Sequence, residues 1–265
     1  MDVLSIVRSE ITDFTKSFDS TFVFSTNVAG TEVGLTQYTF YMFIALVVLV
    51  LLVFIGGRSL RLIPKGKFSN MIEYGYEFAS RSITREVIGE GYKKHIPFIA
   101  TLFFFILIAN FIGLIPGAKA GTGSLSVTWA LAICSFVYFN FWGVKARGGT
   151  AYLKSFAPSG LPGPMVPFVW VLEVFSAILR ALTLAVRLYG NMFAGHIVLG
   201  IFAILTSTFL TSAIQSADLV LGLPSIAWIF FLICMYGLEV LVAFLQAYVF
   251  AVLSAVYVSL ATKPH

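Results

Sequence analysis

Two stretches near the end of the chain, residues 165–212 and 224–262, are apolar almost without a break. As helices rising about 1.5 Å per residue they would reach roughly 70 Å and 58 Å, about twice the ~30 Å hydrocarbon thickness of a bilayer. Neither run has a polar turn at its centre, so each is expected to form one long, steeply tilted helix rather than a hairpin of short ones. Composition carries the same message, with 59% hydrophobic and 11% charged residues against about 45–50% and roughly 25% in soluble domains. One water-soluble core cannot hide that much apolar surface. Soluble enzymes, nucleic-acid binders and disordered proteins are excluded, and the fold class expected is an all-α integral membrane protein.

Three shorter spans are expected at about 38–55, 96–115 and 124–144, giving five in all. Residues 1–36 form a separate N-terminal segment ahead of a membrane domain at 37–265. Within that segment Leu4, Val7, Ile11, Phe14 and Phe18 recur at helical spacing, which suggests either an amphipathic surface helix or a loosely ordered tail. No secretory signal is expected, because Met1-Asp2 opens an acidic stretch without a basic n-region. Between the first two spans, Phe68, Ile72, Tyr76, Ala79, Ile83 and Val87 make one stripe and predict a short amphipathic helix. His95 follows Lys93-Lys94 and reads as an interfacial residue. Cys134 and Cys234 are singletons in apolar runs and read as packing residues.

Loop charge sets the expected orientation. Stretches 56–95 and 144–160 hold eight and three Lys or Arg, whereas 116–124 holds only Lys119 and 213–223 none. The positive-inside rule then puts the N-terminus outside and the C-terminus inside. The formal net charge of +5 follows from topology and requires no nucleic acid.

Charge deep in an apolar run marks function more strongly than any other membrane signal, because an unpaired charge there costs several kcal/mol. The candidates are Glu173, Arg180, Arg187 and His196 on the fourth span and Glu239 on the fifth, with Ser176, Asn191 and Gln246 as polar companions. Glu173, Arg180 and Arg187 step by seven and share a helix stripe, with Asn191 one turn further, while His196 points to another side. Glu239 and Gln246 also differ by seven. The two spans run antiparallel, so Arg187 falls level with Gln246, and His196 level with Glu239 nearer the outside. Glu173 lies about 21 Å from Arg187 towards the inside. Groups able to exchange protons therefore stand on both sides of a guanidinium that does not titrate.

Arg187-Leu188-Tyr189-Gly190-Asn191-Met192 followed by Ala194-Gly195-His196 resembles the fourth-span signature of subunit a of the F-type ATP synthases. Leu245-Gln246-Ala247-Tyr248-Val249-Phe250, with Tyr257 downstream, is similar to that family's last-helix motif, and Asn110-Phe111-Ile112-Gly113-Leu114-Ile115-Pro116 to an earlier one. The resemblance covers about residue 38 to the end. It implies that Arg187 is the essential arginine facing a rotating c-subunit ring, that His196 and Glu239 belong to the outside half-channel, and that Glu173 belongs to the inside exit. Asn191 and Gln246 would support Arg187. It further implies peripheral-stalk b-type and other complex subunits as partners, membrane lipid around them, no cofactor and no catalytic site on this chain. The family's bacterial members often carry the acid on the fourth helix and the histidine on the fifth; the exchange here is similar to mitochondrial and alphaproteobacterial members. A bacterial plasma membrane and a mitochondrial inner membrane are both compatible, and H⁺ is favoured over Na⁺ as the ion.

Other roles compete at some positions. Arg180 could anchor phosphate headgroups or pair with Glu173, and Glu173 could be its structural partner rather than an exit relay. Tyr257 reads as a packing aromatic before a proton carrier. Gly117 to Gly123 lacks the GK[ST] of a phosphate loop, and no metal-ligand spacing occurs. A self-contained proton-coupled transporter is the alternative function, but the internal repeat that such folds often carry is not found. A purely structural scaffold is disfavoured by three ionisable residues on one stripe.

Overall fold

The computed structural model describes residues 9, 10, 12, 22–28, 31–58, 67–154, 156, 165–216 and 219–262. Five helices are long and apolar enough to cross a membrane. In chain order, α1 is Gln37–Arg58, followed by α2 (Lys67–Glu77), a π-helical stretch (Phe78–Arg85), α3 (Glu86–Ile88), α4 (Ile96–Gly113), α5 (Leu125–Arg147), α6 (Gly149–Lys154), α7 (Val166–Ser216) and α8 (Leu219–Thr262). Both long apolar runs are single continuous helices, of 51 and 44 residues. Straight, they extend about 77 Å and 66 Å, so either one must lean far from the bilayer normal to keep its apolar surface in hydrocarbon.

The first surprise precedes the membrane domain. Phe22–Val28 (β1) and Thr31–Thr36 (β2) form an antiparallel hairpin with Val28 opposite Thr31 and Phe22 opposite Thr36. Part of the 1–36 segment is thus neither surface helix nor loose tail. Its Phe-Val-Phe and Thr-rich stretches suit a pleated backbone better than a helix. Ser9, Glu10 and Thr12 are helical, while Leu4, Val7, Ile11, Phe14 and Phe18 lie outside the described residues. The hairpin leads directly into α1, where the Thr36 hydroxyl accepts the Thr39 N–H at 3.4 Å and bonds its hydroxyl at 2.9 Å. That satisfies one of the amide donors left open at a helix start.

The amphipathic stripe after α1 is present but re-phased. A 3.6-residue period includes Tyr76 and Val87, yet Tyr76 is exposed and Val87 only half-buried, while Ala79, Ile83, Thr84 and Ile88 are buried. The π-helical turn accounts for the shift from Val87 to Ile88. Its wider winding advances the buried face by four to five residues, as the Glu86 N–H to Arg81 carbonyl bond shows. Thr84 then donates back to the Ala79 carbonyl at 2.8 Å.

Helix α8 is the spine of the bundle, with α4, α5 and α7 all packed on it. Its buried Ala243, Ala247, Ala251 and Ala255 recur every four residues. Lipid is as apolar as a helix surface, so association relies on close backbone approach, and a small-residue stripe allows it. Phe250 and Val258 flank the stripe and meet Ile99, Phe103 and Ile106 of α4, Phe139 of α5 and Leu184 and Leu188 of α7 in one core. Against this core α1 presents a mostly exposed apolar surface, including Phe43, Val47, Val50 and Phe54.

Candidate functional site

The packing of α7 on α8 sets the level of each polar residue. Rings of Phe202 and Phe231 lie 6.3 Å apart, Trp228 lies 5.9 Å from Phe202 and 6.2 Å from Phe209, and the Glu239 carboxylate sits against Gly195. These pairs define an antiparallel register in which Arg187 falls opposite Gln246. Gly195 is required by this contact: a Cβ there would overlap the Glu239 carboxylate. The residue just before His196 must therefore lack a side chain for the acid to reach α7.

Glu239 is 6% exposed and Gln246 8%, so both are buried between helices. Glu239 makes no hydrogen bond or ion pair among the described residues. His196, next to Gly195, is half-buried, and the Nε2 of its ring is buried with no partner among the described residues; the same holds for the Asn191 amide nitrogen. The structure brings His196 and Glu239 to one level without joining them in a hydrogen bond. Buried polar atoms left unpaired cost about 1–3 kcal/mol each, so water or a partner group is needed here.

Arg187 lies near the middle of α7 and is exposed, on a face shared with Thr183, Gly190 and Ala194. It has no ion-pair partner among the described residues. Towards the start of α7 the situation differs: Arg180 donates to Glu173 at 2.7 Å, with both side chains partly exposed. Ser176 is half-buried between them. Of the readings open for Arg180, the pairing with Glu173 is realised. Tyr257 is half-buried with its ring 5.7 Å from that of Phe139, which is a packing position.

A family model described as the ATP synthase A chain matches residues 39–259. The chain belongs to the ATP synthase A chain family. Relatives agree in length as well as sequence. A protein named ATP synthase subunit a from Rubrobacter xylanophilus is 32% identical over 258 residues, covering 96% of this chain and 95% of the relative. One of the same name from Rhodopseudomonas palustris (strain BisB18) is 38% identical over 236 residues, covering 88% and 90%. A third, from Parvibaculum lavamentivorans, is 36% identical over 239 residues, covering 90% and 88%. The family resemblance carried by the three motifs is thereby borne out, alphaproteobacterial relatives included.

Seen as an A chain, the molecule also holds polar groups that hydropathy reading passed over. Asn110 is fully buried: its amide donates to the Ala243 carbonyl at 3.2 Å, one turn from Glu239, and accepts from the Thr122 hydroxyl at 2.7 Å. Thr122 sits in the Gly-rich turn, whose use is thus to fold a hydroxyl back onto α4. An asparagine inside an apolar run was the available signal. Ser135 and Ser254 join α5 to α8 by a 2.9 Å bond, and no spacing rule finds such a pair. His95, expected at the interface, is 5% exposed. Its Nδ1 lies 3.0 Å from the Tyr138 hydroxyl and its ring 4.8 Å from Trp142. Burial, and secondarily Lys94, hold its pKa below the usual histidine value.

Proposed function

We propose that this chain is the proton-conducting stator subunit of an ATP synthase, with two offset half-channels separated by Arg187. Protons from the outside reach a carboxylate on a neighbouring ring of small c subunits by way of His196 and Glu239. Neutral, that carboxylate can rotate through lipid at tolerable free energy. After nearly a full turn it returns to the stator and releases its proton towards Glu173 on the inside. Arg187 attracts the ionised carboxylate and, because a guanidinium keeps its proton, passes none across the divide. Rotation drives ATP formation on other subunits, and this chain holds no catalytic site of its own.

The observation that carries the reading is Arg187 on an outward face of α7 with no ion-pair partner among the described residues, Asn191 and His196 beyond it on one side with buried atoms likewise unpartnered there, and the Glu173–Arg180 pair on the other. A lone guanidinium at mid-membrane is too costly to face lipid and calls for an anionic partner. Thr183, Gly190 and Ala194 beside it are small enough to let another helix approach. Asn191 and Gln246 support Arg187 from the α7 and α8 sides. Partners on this reading are the c-ring, peripheral-stalk b-type subunits and the remaining complex. The relatives named above are bacterial, which favours a bacterial plasma membrane with the N-terminus outside and the C-terminus inside; the mitochondrial inner membrane is the eukaryotic equivalent.

The test is Arg187→Ala in membrane vesicles, with ATP synthesis and passive proton leak recorded together. Synthesis is expected to fall below about 1% of wild type while protons still cross the membrane sector. Synthesis near the wild-type rate would remove the central residue of the scheme.

A further inference from the structure

Where α4 begins and α5 ends, a cluster of rings ties the two helices together. The His95 Nδ1 lies 3.0 Å from the Tyr138 hydroxyl, and Phe98 stacks on the Tyr138 ring at 3.6 Å. Trp142 closes the cluster edge-on to His95 at 4.8 Å, and Lys145 holds its ammonium 4.8 Å from the centre of the same indole. His95 is 5% exposed, so the lock itself is buried. Lys93 and Lys94 directly precede His95, and the lock therefore brings them to the end of α5 that carries Lys145. All three lysines are exposed.

Nearby arginines are engaged elsewhere. Arg81 pairs with Glu77, Arg85 lies 6.0 Å from the centre of the Tyr92 ring, and Arg147 donates to the Leu260 carbonyl at 3.1 Å. Lys93, Lys94 and Lys145 form no ion pair with a carboxylate among the described residues. Further back along α5, Ile133, Val137 and Phe141 step by four towards Lys145 and are 50%, 59% and 59% exposed. From Ile133 to Lys145 the helix rises about 18 Å, close to the ~15 Å of hydrocarbon in one leaflet. An apolar track of that length, ending in interfacial aromatic rings and ammonium groups, complements a phospholipid with a negative headgroup. A soluble acidic segment would match the lysines and leave the track uncovered.

We propose that Lys93, Lys94 and Lys145 bind the headgroup of an anionic phospholipid whose acyl chain lies along Ile133, Val137 and Phe141 of α5. The headgroup phosphate accepts from the ammonium groups, and the lock of His95, Tyr138 and Trp142 keeps the cations of two segments together when the lipid exchanges. The bound lipid bridges the start of α4 and the end of α5. Its leaflet rests on the orientation proposed above, which makes it the inside one; the site itself depends neither on that orientation nor on the half-channel scheme.

The test uses the whole complex, purified in mild detergent, stripped of lipid and titrated with dioleoyl phosphatidylglycerol. Lipid retained after washing is counted by mass spectrometry. Wild type is compared with the combined Lys93→Ala, Lys94→Ala and Lys145→Ala variant, so that lipid held by other subunits cancels. Near a membrane surface each lysine strengthens the attraction of anionic lipid about five-fold. The half-saturating concentration of the tightest sites is therefore expected to rise at least about ten-fold in the variant, with no such difference for dioleoyl phosphatidylcholine. Equal retention by the two complexes, or an equally large difference with phosphatidylcholine, would overturn the proposal. So would displacement of phosphatidylglycerol by excess inorganic phosphate, which marks a soluble-anion site, or loss of one subunit from an otherwise intact variant complex, which marks a protein contact. Where the combined variant does not fold into the complex, Lys145→Gln decides in its place, with about a five-fold rise expected and no change overturning the site. Lys145→Cys, treated with a membrane-impermeant maleimide in sealed vesicles, reports the leaflet separately: labelling from the outside overturns the orientation and leaves the site.

Discussion

The two ends of the α7–α8 pair treat their polar groups in opposite ways. Towards the connecting turn, Asn191 and His196 keep buried atoms without partners among the described residues, and the buried Glu239 carboxylate sits against Gly195. Towards the other end, Arg180 is paired with Glu173, Tyr152 with Asn140 and Ser135 with Ser254, leaving Arg147 Nε as the exception. Buried polar groups are normally satisfied, and the exceptions mark places where something else must bind or pass. The upper end is built to be completed by water or a partner, whereas the lower end is already held by its own side chains. Arg187 stands between the two and belongs to neither, since nothing among the described residues pairs with it.

The largest effect that would sharpen this contrast comes from Gly195. Gly195→Val puts a branched side chain into the Glu239 carboxylate, and proton conduction is expected to drop at least about ten-fold with the ring still co-purifying. Conduction within two-fold of wild type would mean that the acid is free to sit elsewhere and that the level of Glu239 is not set by α7. Next comes Asn110→Leu, which takes the partner from the buried Thr122 hydroxyl and the side-chain bond from the Ala243 carbonyl. A loss of about 2–3 kcal/mol is expected, read as a lower thermal midpoint of the detergent-purified complex. An unchanged midpoint would show that the buried amide is replaceable and that the outside end is looser than described.

Breaking the lower pair alone is expected to do little to stability. Arg180 and Glu173 are both partly exposed, and such pairs contribute below about 1 kcal/mol. Arg180→Gln should leave the midpoint within a few degrees while altering inside-face conduction. A large stability loss would make the pair a fold element and erase the asymmetry between the two ends.

The smallest effect concerns His95. Its folded pKa lies below the unfolded value of about 6.5, so the unfolded chain binds more protons and stability rises with pH. The contribution is complete above about pH 6.5 and is lost as pH falls from there through the folded pKa. Comparing midpoints at pH 7.5 and pH 5.5, wild type should lose more than His95→Gln; equal losses would mean the buried ring carries no such linkage.

Much of this was legible without coordinates. Hydropathy located all five spans because lipid forces long uninterrupted apolar helices whose backbone bonds close on themselves. The antiparallel alignment that set His196 level with Glu239 matches the Glu239 contact at Gly195, because two antiparallel helices share one rise per residue. The re-phasing at Phe78–Arg85 was hidden, since a π turn inserts one residue per turn without a compositional mark. So was the hairpin at Phe22–Thr36, where a helical pattern upstream drew the reading away from β-branched and aromatic residues downstream.

Sequence alone determined the membrane class, the spans and which few ionisable residues could matter, because apolar length and buried charge are penalised by the bilayer whatever the fold. Only the tertiary structure decided which of those residues are partnered. Whether Arg180 finds Glu173, whether Glu239 reaches Gly195, and whether Tyr152 folds back onto Asn140 depend on distances of a few ångströms between helices. Those distances are set by alanines and glycines at close crossings, and residue order along one helix does not specify which neighbour comes near.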